Sequence, residues 1–155
     1  MKNQLDEVDL QILASLQKDG RITNADLAKA VNLSPPSVLQ RVRALEKAGL
    51  IRGYHALLDH ERLGLRITAM VMITLALHQD MAIERFRRAV MDIPEILECH
   101  HVSGDFDFLL KVVVRDMRSY EQFVREKLSK IKGLGQIRTS FVLGTTKYST
   151  EIQMS

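Results

Sequence analysis

Between Ser34 and Tyr54 the sequence "SPPSVLQRVRALEKAGLIRGY" gathers side chains suited to a polyanion. Arg41, Arg43, Lys47 and Arg52 face a single acid, Glu46, a local balance of +3 that equals the formal net charge of the whole 155-residue chain. Arginine can read guanine through two hydrogen bonds, and glutamine, here Gln40, can read adenine. Basic arms and the hydroxyls of Ser34 and Ser37 can rest on phosphates, which position a protein without specifying sequence. A second stretch, "GDFD" (Gly104 to Asp107), pairs two acids around a phenylalanine. Asp105 and Asp107 could share a divalent cation, but no third acid is near them in sequence. Asp105 could equally shape a turn, and Asp107, alternating with Phe106 and Phe108, could be an ordinary solvated acid. A third, "CHH" (Cys99 to His101), has metal-ligand residue types. On a strand Cys99 and His101 share one face and His100 the other, and no second Cys/His cluster lies at ligand spacing, so no metal is assigned. Neither a nucleotide-binding glycine loop nor a nucleophile elbow occurs, so the chain is not read as an enzyme.

The elements that must carry these residues follow from periodicity. Leu5, Val8, Ile12, Leu13 and Leu16 fall on one side of a helix that Gly20 stops. Thr23 opens a second, short helix with Asp26 three residues on, and Leu27, Ala30 and Val31 form its inner face. After the turn "VNLS" a third helix is predicted from about Pro36 to Ala48. Proline disfavours α geometry in the residue before it, so Pro36 is the expected first helical residue, with Ser34 or Pro35 at the cap. On that helix Val38, Val42, Leu45 and Gly49 make a narrow apolar seam. Gln40, Ala44 and Lys47 lie opposite it, flanked by Ser37, Arg41 and Arg43. Two short helices, a tight turn and a third helix form the sequence shape of a helix-turn-helix. "LIRGYHALL" then reads as two short strands around Gly53, a wing.

Past a polar, turn-rich stretch from Asp59 to Leu65 the period changes. "RITAMVMITLAL" reads as a strand, a helix follows from about Met81 to Met91, and "EILECHHVS" and "DFLLKVVV" read as paired strands. Asp116 caps a helix bearing Tyr120, Phe123, Val124 and Leu128, and "QIRTSFVLGTTKYS" closes as a strand. This β-α-β-β-α-β order is ferredoxin-like. The expected class is α+β, with domains at 1–58 and 66–155 and a hinge at 59–65. The first strand is apolar on both faces, Ile67, Ala69, Val71, Ile73 and Leu75 on one and Met70, Met72 and Ala76 on the other. Two helices cover only one face of such a sheet, so a second copy is expected on the other, giving a dimer.

Composition sets bounds. The chain is 46% hydrophobic and 26% charged, as ordinary soluble domains are, and its one cysteine, Cys99, excludes an internal disulfide framework. No apolar run is long enough for a membrane span and the N-terminus lacks a signal-peptide core, so a cytoplasmic location is expected.

The blocks "LDEVDLQILASLQKDGRITNADLAKAVNLSP", "RALEKAGLIRGYHALLD", "ECHHVSGDFDFLLKVVVRDMRSYEQF" and "RTSFVL", in this order and spacing, resemble the Lrp/AsnC, or feast/famine, family of transcription regulators over almost the whole chain. The resemblance implies a winged helix-turn-helix followed by a ferredoxin-like effector domain, and dimers that associate further, often to octamers, on promoter DNA. It implies no cofactor, and an amino acid as allosteric effector. Carried over, "GDFD" should line the effector pocket, with Gly104 allowing close backbone approach and Asp107 facing an α-ammonium. Met117, Ser140, Phe141 and Val142 match further response positions of a leucine-responsive member of the family, although Ser140 stands where that member has an aromatic, which argues against leucine itself as the effector. The alternative is an effector-binding adaptor that regulates a partner protein, whose contacts would lack the steep salt dependence of phosphate binding.

Overall fold

A computed structural model describes residues 5–76 and 80–154, and the chain divides into two compact units, Met1–Leu57 with Lys147–Ser155, and Leu58–Thr146. The first unit holds α1 (Glu7–Lys18), α2 (Asn24–Ala30) and α3 (Pro35–Lys47). Each starts on a side chain that accepts an otherwise unpaired first-turn amide. Asp6 caps α1 in a reciprocal box with Asp9, Thr23 caps α2, and Ser34 caps α3. Ile12, Leu27, Ala28, Val31, Val38 and Leu45 close into its core, with Val42 packed against them.

The start of α3 differs from the sequence expectation by one residue. Pro35, not Pro36, is the first helical residue and Ser34 is the cap. Proline's fixed φ suits the first helical position, and Ser34, sitting in extended geometry, satisfies the restriction on the residue before proline. The wing also differs. Residues 51–58 pair with no strand; the segment is held instead by the amides of Leu50 and Ile51 on the Leu45 carbonyl and by the Tyr54 hydroxyl donating to Glu46 at 3.1 Å. Two strands of a few residues each are marginal without a third to pair with, and among the described residues none is offered.

The second unit contains β1 (Ile67–Leu75), α4 (Asp80–Met91), β2 (Ile96–His101), β3 (Phe108–Val114), α5 (Met117–Glu126), a 3₁₀ turn at Leu128–Lys130 and β4 (Leu134–Phe141). The sheet is antiparallel in the order β2-β3-β1-β4, the ferredoxin-like arrangement the sequence predicts. The predicted first strand extends to Leu77, which lies outside the described residues. Alternation sets the core: Ala69, Val71, Ile73, Leu75, Phe108, Leu110, Val112 and Val114 are buried with Phe86, Tyr120, Phe123 and Leu128, and only Val113, buried on the other face, departs from it among these strand residues. Met70 and Met72 alternate onto the other face and are half-buried. The expected hinge is a closed turn: the Leu65 amide reaches the His60 carbonyl at 2.8 Å, and Asp59 Oδ1 accepts the amides of Glu61 and Arg62. The last strand stops at Phe141. Whereas the sequence reading runs the second domain to residue 155, residues 147–155 group with the first unit, where Ile152 and the Gln17 amide exchange two hydrogen bonds, at 2.7 and 3.0 Å. No helix among the described residues is long and apolar enough to cross a membrane.

Candidate functional site

The seam and outer face of α3 fall where the wheel puts them. Val38 is fully buried and Leu45 nearly so, whereas Ser37, Gln40, Arg43, Ala44 and Lys47 are exposed, as are Ser34 and Arg52 beside the helix. Among the described residues Gln40, Arg43 and Lys47 make no hydrogen bond or ion pair, so their donors face outward uncommitted. Ser34 Oγ and Ser37 Oγ lie 2.8 Å apart, and Ser34 Oγ also accepts the Ser37 amide. That pair uses one hydroxyl proton of two, leaving one O–H to donate outward whichever serine keeps it.

Arg41 departs from its expected place in that row. Its Nη1 donates to Asp6 Oδ2 and to Asp9 Oδ1, both at 2.7 Å, so the guanidinium is drawn back onto the start of α1. The physical reason is reach: a long arm at the edge of the outer face meets two carboxylates already gathered by the α1 capping box. The Asp9 amide, followed by Arg41, holds the Asp6 carboxyl below its ordinary range, and the two acids in turn push Arg41 further up. In the free chain Arg41 therefore ties α3 to the start of α1. The "LDEVD" spacing that makes the capping box was the signal for this pair. Sequence reasoning also missed Asn24, whose side-chain amide donates to the Pro35 carbonyl at 2.8 Å and pins α2 to the start of α3. It missed Leu39 as well, 40% exposed beside Gln40 and able to meet a thymine methyl.

The predicted effector residues separate into two groups. Gly104 sits at φ +135°, a conformation that side chains rarely adopt, in the loop between β2 and β3. Asp105 is exposed in that loop, and Asp107 closes it: its amide donates to the Ile73 carbonyl, its carbonyl accepts from Val102, and its Oδ2 accepts the Leu75 amide at 2.7 Å. Met117 begins α5, Ser140 and Phe141 end β4, and Val142 is the next residue. Ser140 lies opposite Met70, the Val142 amide donates to the Thr68 carbonyl, and the Phe141 ring meets Tyr120 edge-on with centroids 5.1 Å apart. Along β1 the Asp107 loop thus borders Ile73 while the β4 end borders Thr68, roughly 17 Å apart at the rise of a strand. Within one chain the seven residues do not line a single pocket.

The "CHH" residues divide as alternation requires. Cys99 and His101 pair opposite Leu110 and Phe108 on the helix side, with His101 stacked on Phe108 and near Arg87. His100 turns to the other side, 3.1 Å from Glu98. Burial pushes the Cys99 thiol up. No group of three or more His, Cys, Asp or Glu among the described residues is arranged to hold a metal.

Comparison with known proteins places both units. Residues 5–52 match the winged helix-turn-helix DNA-binding model, and residues 68–152 match the Lrp/AsnC ligand-binding domain. The chain is 45% identical over 148 residues, 96% of its length and 90% of theirs, to the leucine-responsive regulatory proteins of Escherichia coli and Salmonella typhimurium. In structure it is similar to a transcriptional regulator of Neisseria meningitidis in complex with L-methionine (TM-score 0.91, 36% identity, 97% of each chain). An AsnC family transcriptional regulator of Agrobacterium tumefaciens gives a TM-score of 0.89 at 36% identity, with 96% of this chain and 97% of that one covered. With an exposed basic helix on a helix-turn-helix core, a ferredoxin-like second unit, and matches that span both, the chain belongs to the Lrp/AsnC family of DNA-binding transcriptional regulators.

Proposed function

We propose that the chain reads operator DNA through the outer face of α3 and that an amino acid bound by the second unit adjusts that reading. The observation that carries the first part is the uncommitted row Gln40, Arg43 and Lys47, set over a buried seam of Val38 and Leu45. Gln40 and Leu39 are the base-reading candidates. The free hydroxyl of the Ser34–Ser37 pair, Lys47 and Arg52 are placed to meet phosphates, and Ala44 lets the helix approach closely. Arg43 can serve either role.

The second unit supports effector binding by its match to a ligand-binding domain. The names of two relatives make leucine and methionine the first amino acids to try. Because Gly104, Asp105 and Asp107 stand at one end of the sheet and Met117 with Ser140–Val142 at the other, a pocket using all of them needs a neighbouring copy. The half-buried Met70 and Met72 on the sheet face away from the helices favour the same conclusion, an even-numbered assembly built from dimers. The protein acts in the cytoplasm, where its DNA lies.

Fluorescence anisotropy on labelled duplexes, repeated across a salt series, tests the DNA reading. The logarithm of the binding constant should fall linearly with the logarithm of salt concentration, with a slope of about −0.9 for each phosphate contacted. A flat salt response would instead support a protein adaptor. A thermal-shift screen of the proteinogenic amino acids tests the effector reading, since a ligand of the folded form raises Tm. No shift with any of them would refute it.

A further inference from the structure

The described residues from Lys147 onward form no helix or strand, yet they belong to the first unit, which the chain leaves after Leu57. Gln17 holds this arm at Ile152. Its Oε1 accepts the Ile152 amide at 2.7 Å, and its Nε2 donates to the Ile152 carbonyl at 3.0 Å. These are the two bonds that directly opposed residues exchange in an antiparallel ladder, so the side-chain amide stands in for a neighbouring strand. It reads main chain only, and the Ile152 side chain is left 71% exposed. Gln17 faces the arm because Leu10, Ala14 and Gln17 follow one another at helical spacing, on the side of α1 turned away from fully buried Ile12.

The arm is lightly seated. Every residue from Leu143 to Gln153 is exposed, and Met154 is half-buried. A space of about 450 Å³ remains between α1 and the arm, with Leu10 and Ala14 on one wall and Ile152 and Met154 on the other. Ordering an exposed arm costs main-chain entropy at each residue, and main-chain hydrogen bonds return little of it net. The arm therefore sits close to balance between seated and free. Seating changes how the first unit is held. While the arm is seated, the three helices are joined to the second unit by two connections, after Leu57 and before Lys147. With the arm off, the second connection holds nothing and the first alone remains. Reading two half-sites at once fixes the separation and rotation of two α3 helices, so it depends on how firmly each first unit is held. We propose that Gln17 is a positioning residue for operator reading: by seating the arm on α1, it sets which half-site spacing a pair of chains accepts. The proposal rests on the paired DNA reading above, and it makes a residue outside α3 a determinant of specificity.

Two variants remove the clamp from opposite sides. Gln17→Met replaces the amide with an apolar side chain of similar length that suits a helix, and Ile152→Pro removes the arm's N–H without touching α1. Fluorescence anisotropy on the full chain would start from a duplex selected out of random sequence by repeated binding to the wild type. It would be compared with a single half-site and with the same duplex carrying about 5 bp inserted between its half-sites, which turns one of them to the opposite face. The wild type should lose at least about tenfold in affinity on the inserted duplex, since it then engages one half-site at a time. Each variant should lose less than about threefold, because a singly joined unit reaches either spacing, and the double variant should behave as either alone. Binding to the single half-site and circular dichroism should stay as in the wild type. Variants that keep the wild-type insertion penalty would overturn the proposal. So would a loss of single-half-site binding, which would make the arm a structural part of the DNA-binding core. A wild type indifferent to the insertion would refute the paired reading itself, and the proposal with it.

Discussion

Removing the Asp107 carboxylate should destabilise the second unit before any ligand is added. Leu75 is 3% exposed, and its amide faces the β3 side one rung past the last pair of that ladder, Ile73 opposite Phe108. A donor beyond the end of a ladder has no strand partner of its own. Here Asp107 Oδ2 supplies the acceptor at 2.7 Å. Asp107→Ala leaves that donor in a site closed to water, a penalty of about 1–3 kcal/mol. Asp107→Asn keeps an oxygen and loses only the charge assistance, so it should cost less than about 1 kcal/mol. A loss near 2 kcal/mol corresponds to roughly 8–16 °C in Tm for a unit of this size. Ligand-free urea and thermal unfolding, followed by circular dichroism at fixed protein concentration, would measure it. If Asp107→Ala unfolds as the wild type does, the carboxylate does not support the strand end and the reasoning is refuted. If Asp107→Asn falls as far as Asp107→Ala, the charge matters more than the acceptor and the hydrogen-bond argument fails.

Arg41→Ala should weaken binding to all DNA sequences alike, because it loosens α1 from α3; relaxed preference at one base position, seen in anisotropy with a panel of operator variants, would return Arg41 to the reading face. Arg43→Ala or Lys47→Ala should each reduce the salt slope of binding by about 1 where the side chain meets a phosphate, and an unchanged slope with a changed base preference would assign it to a base. Gly104→Ala should destabilise the second unit by about 1–3 kcal/mol in urea unfolding, since nothing crowds the site and the strain comes from φ alone; an unchanged midpoint would show that the loop relaxes freely. The Asp6 carboxyl, held down by the Asp9 amide and then by Arg41, should titrate by NMR below its ordinary 3.8. Its contribution to the α1–α3 contact is then complete above pH 3.8 and is lost as the pH falls through the depressed value. A midpoint at or above 3.8 would refute the contact.

The helices and the sheet were legible because burial has a period. Val38, Val42 and Leu45 repeat at helical spacing and Ala69, Val71, Ile73 and Leu75 at strand spacing, and both sets are where the core lies. A wheel gives the direction in which a side chain leaves the helix, not where its end arrives. Arg41 leaves at the edge of the outer face and arrives at Asp6, 35 residues away in the chain. The winged helix-turn-helix class holds, but the two strands read around Gly53 do not form, for a related reason: apolar residues there have the composition of a hairpin, whereas strand formation depends on a partner that composition cannot supply. Likewise the effector positions read as one set along the sequence. Their separation became visible only through register, which places Asp107 against Ile73 and Val142 against Thr68.

Register also shows how the connections between the two units leave the second. The chain leaves the first unit at Leu57 and returns to it at Lys147, so two covalent connections join the units. One enters β1 through Gly64 and Arg66, and the other leaves β4 through Val142. The Val142 amide donates to the Thr68 carbonyl at 2.9 Å, so both connections emerge side by side from the same end of the sheet. The turn into α5 at Met117 lies at that end, where β3 runs out opposite Ile67, whereas the Asp107 loop lies at the opposite one. The returning segment is then fastened to α1 by the two hydrogen bonds between Ile152 and Gln17. The Thr68–Val142 bond therefore ties the two connections to each other where they leave the sheet, and Thr68 and Val142 cannot separate without breaking a rung at the end of the β1–β4 ladder.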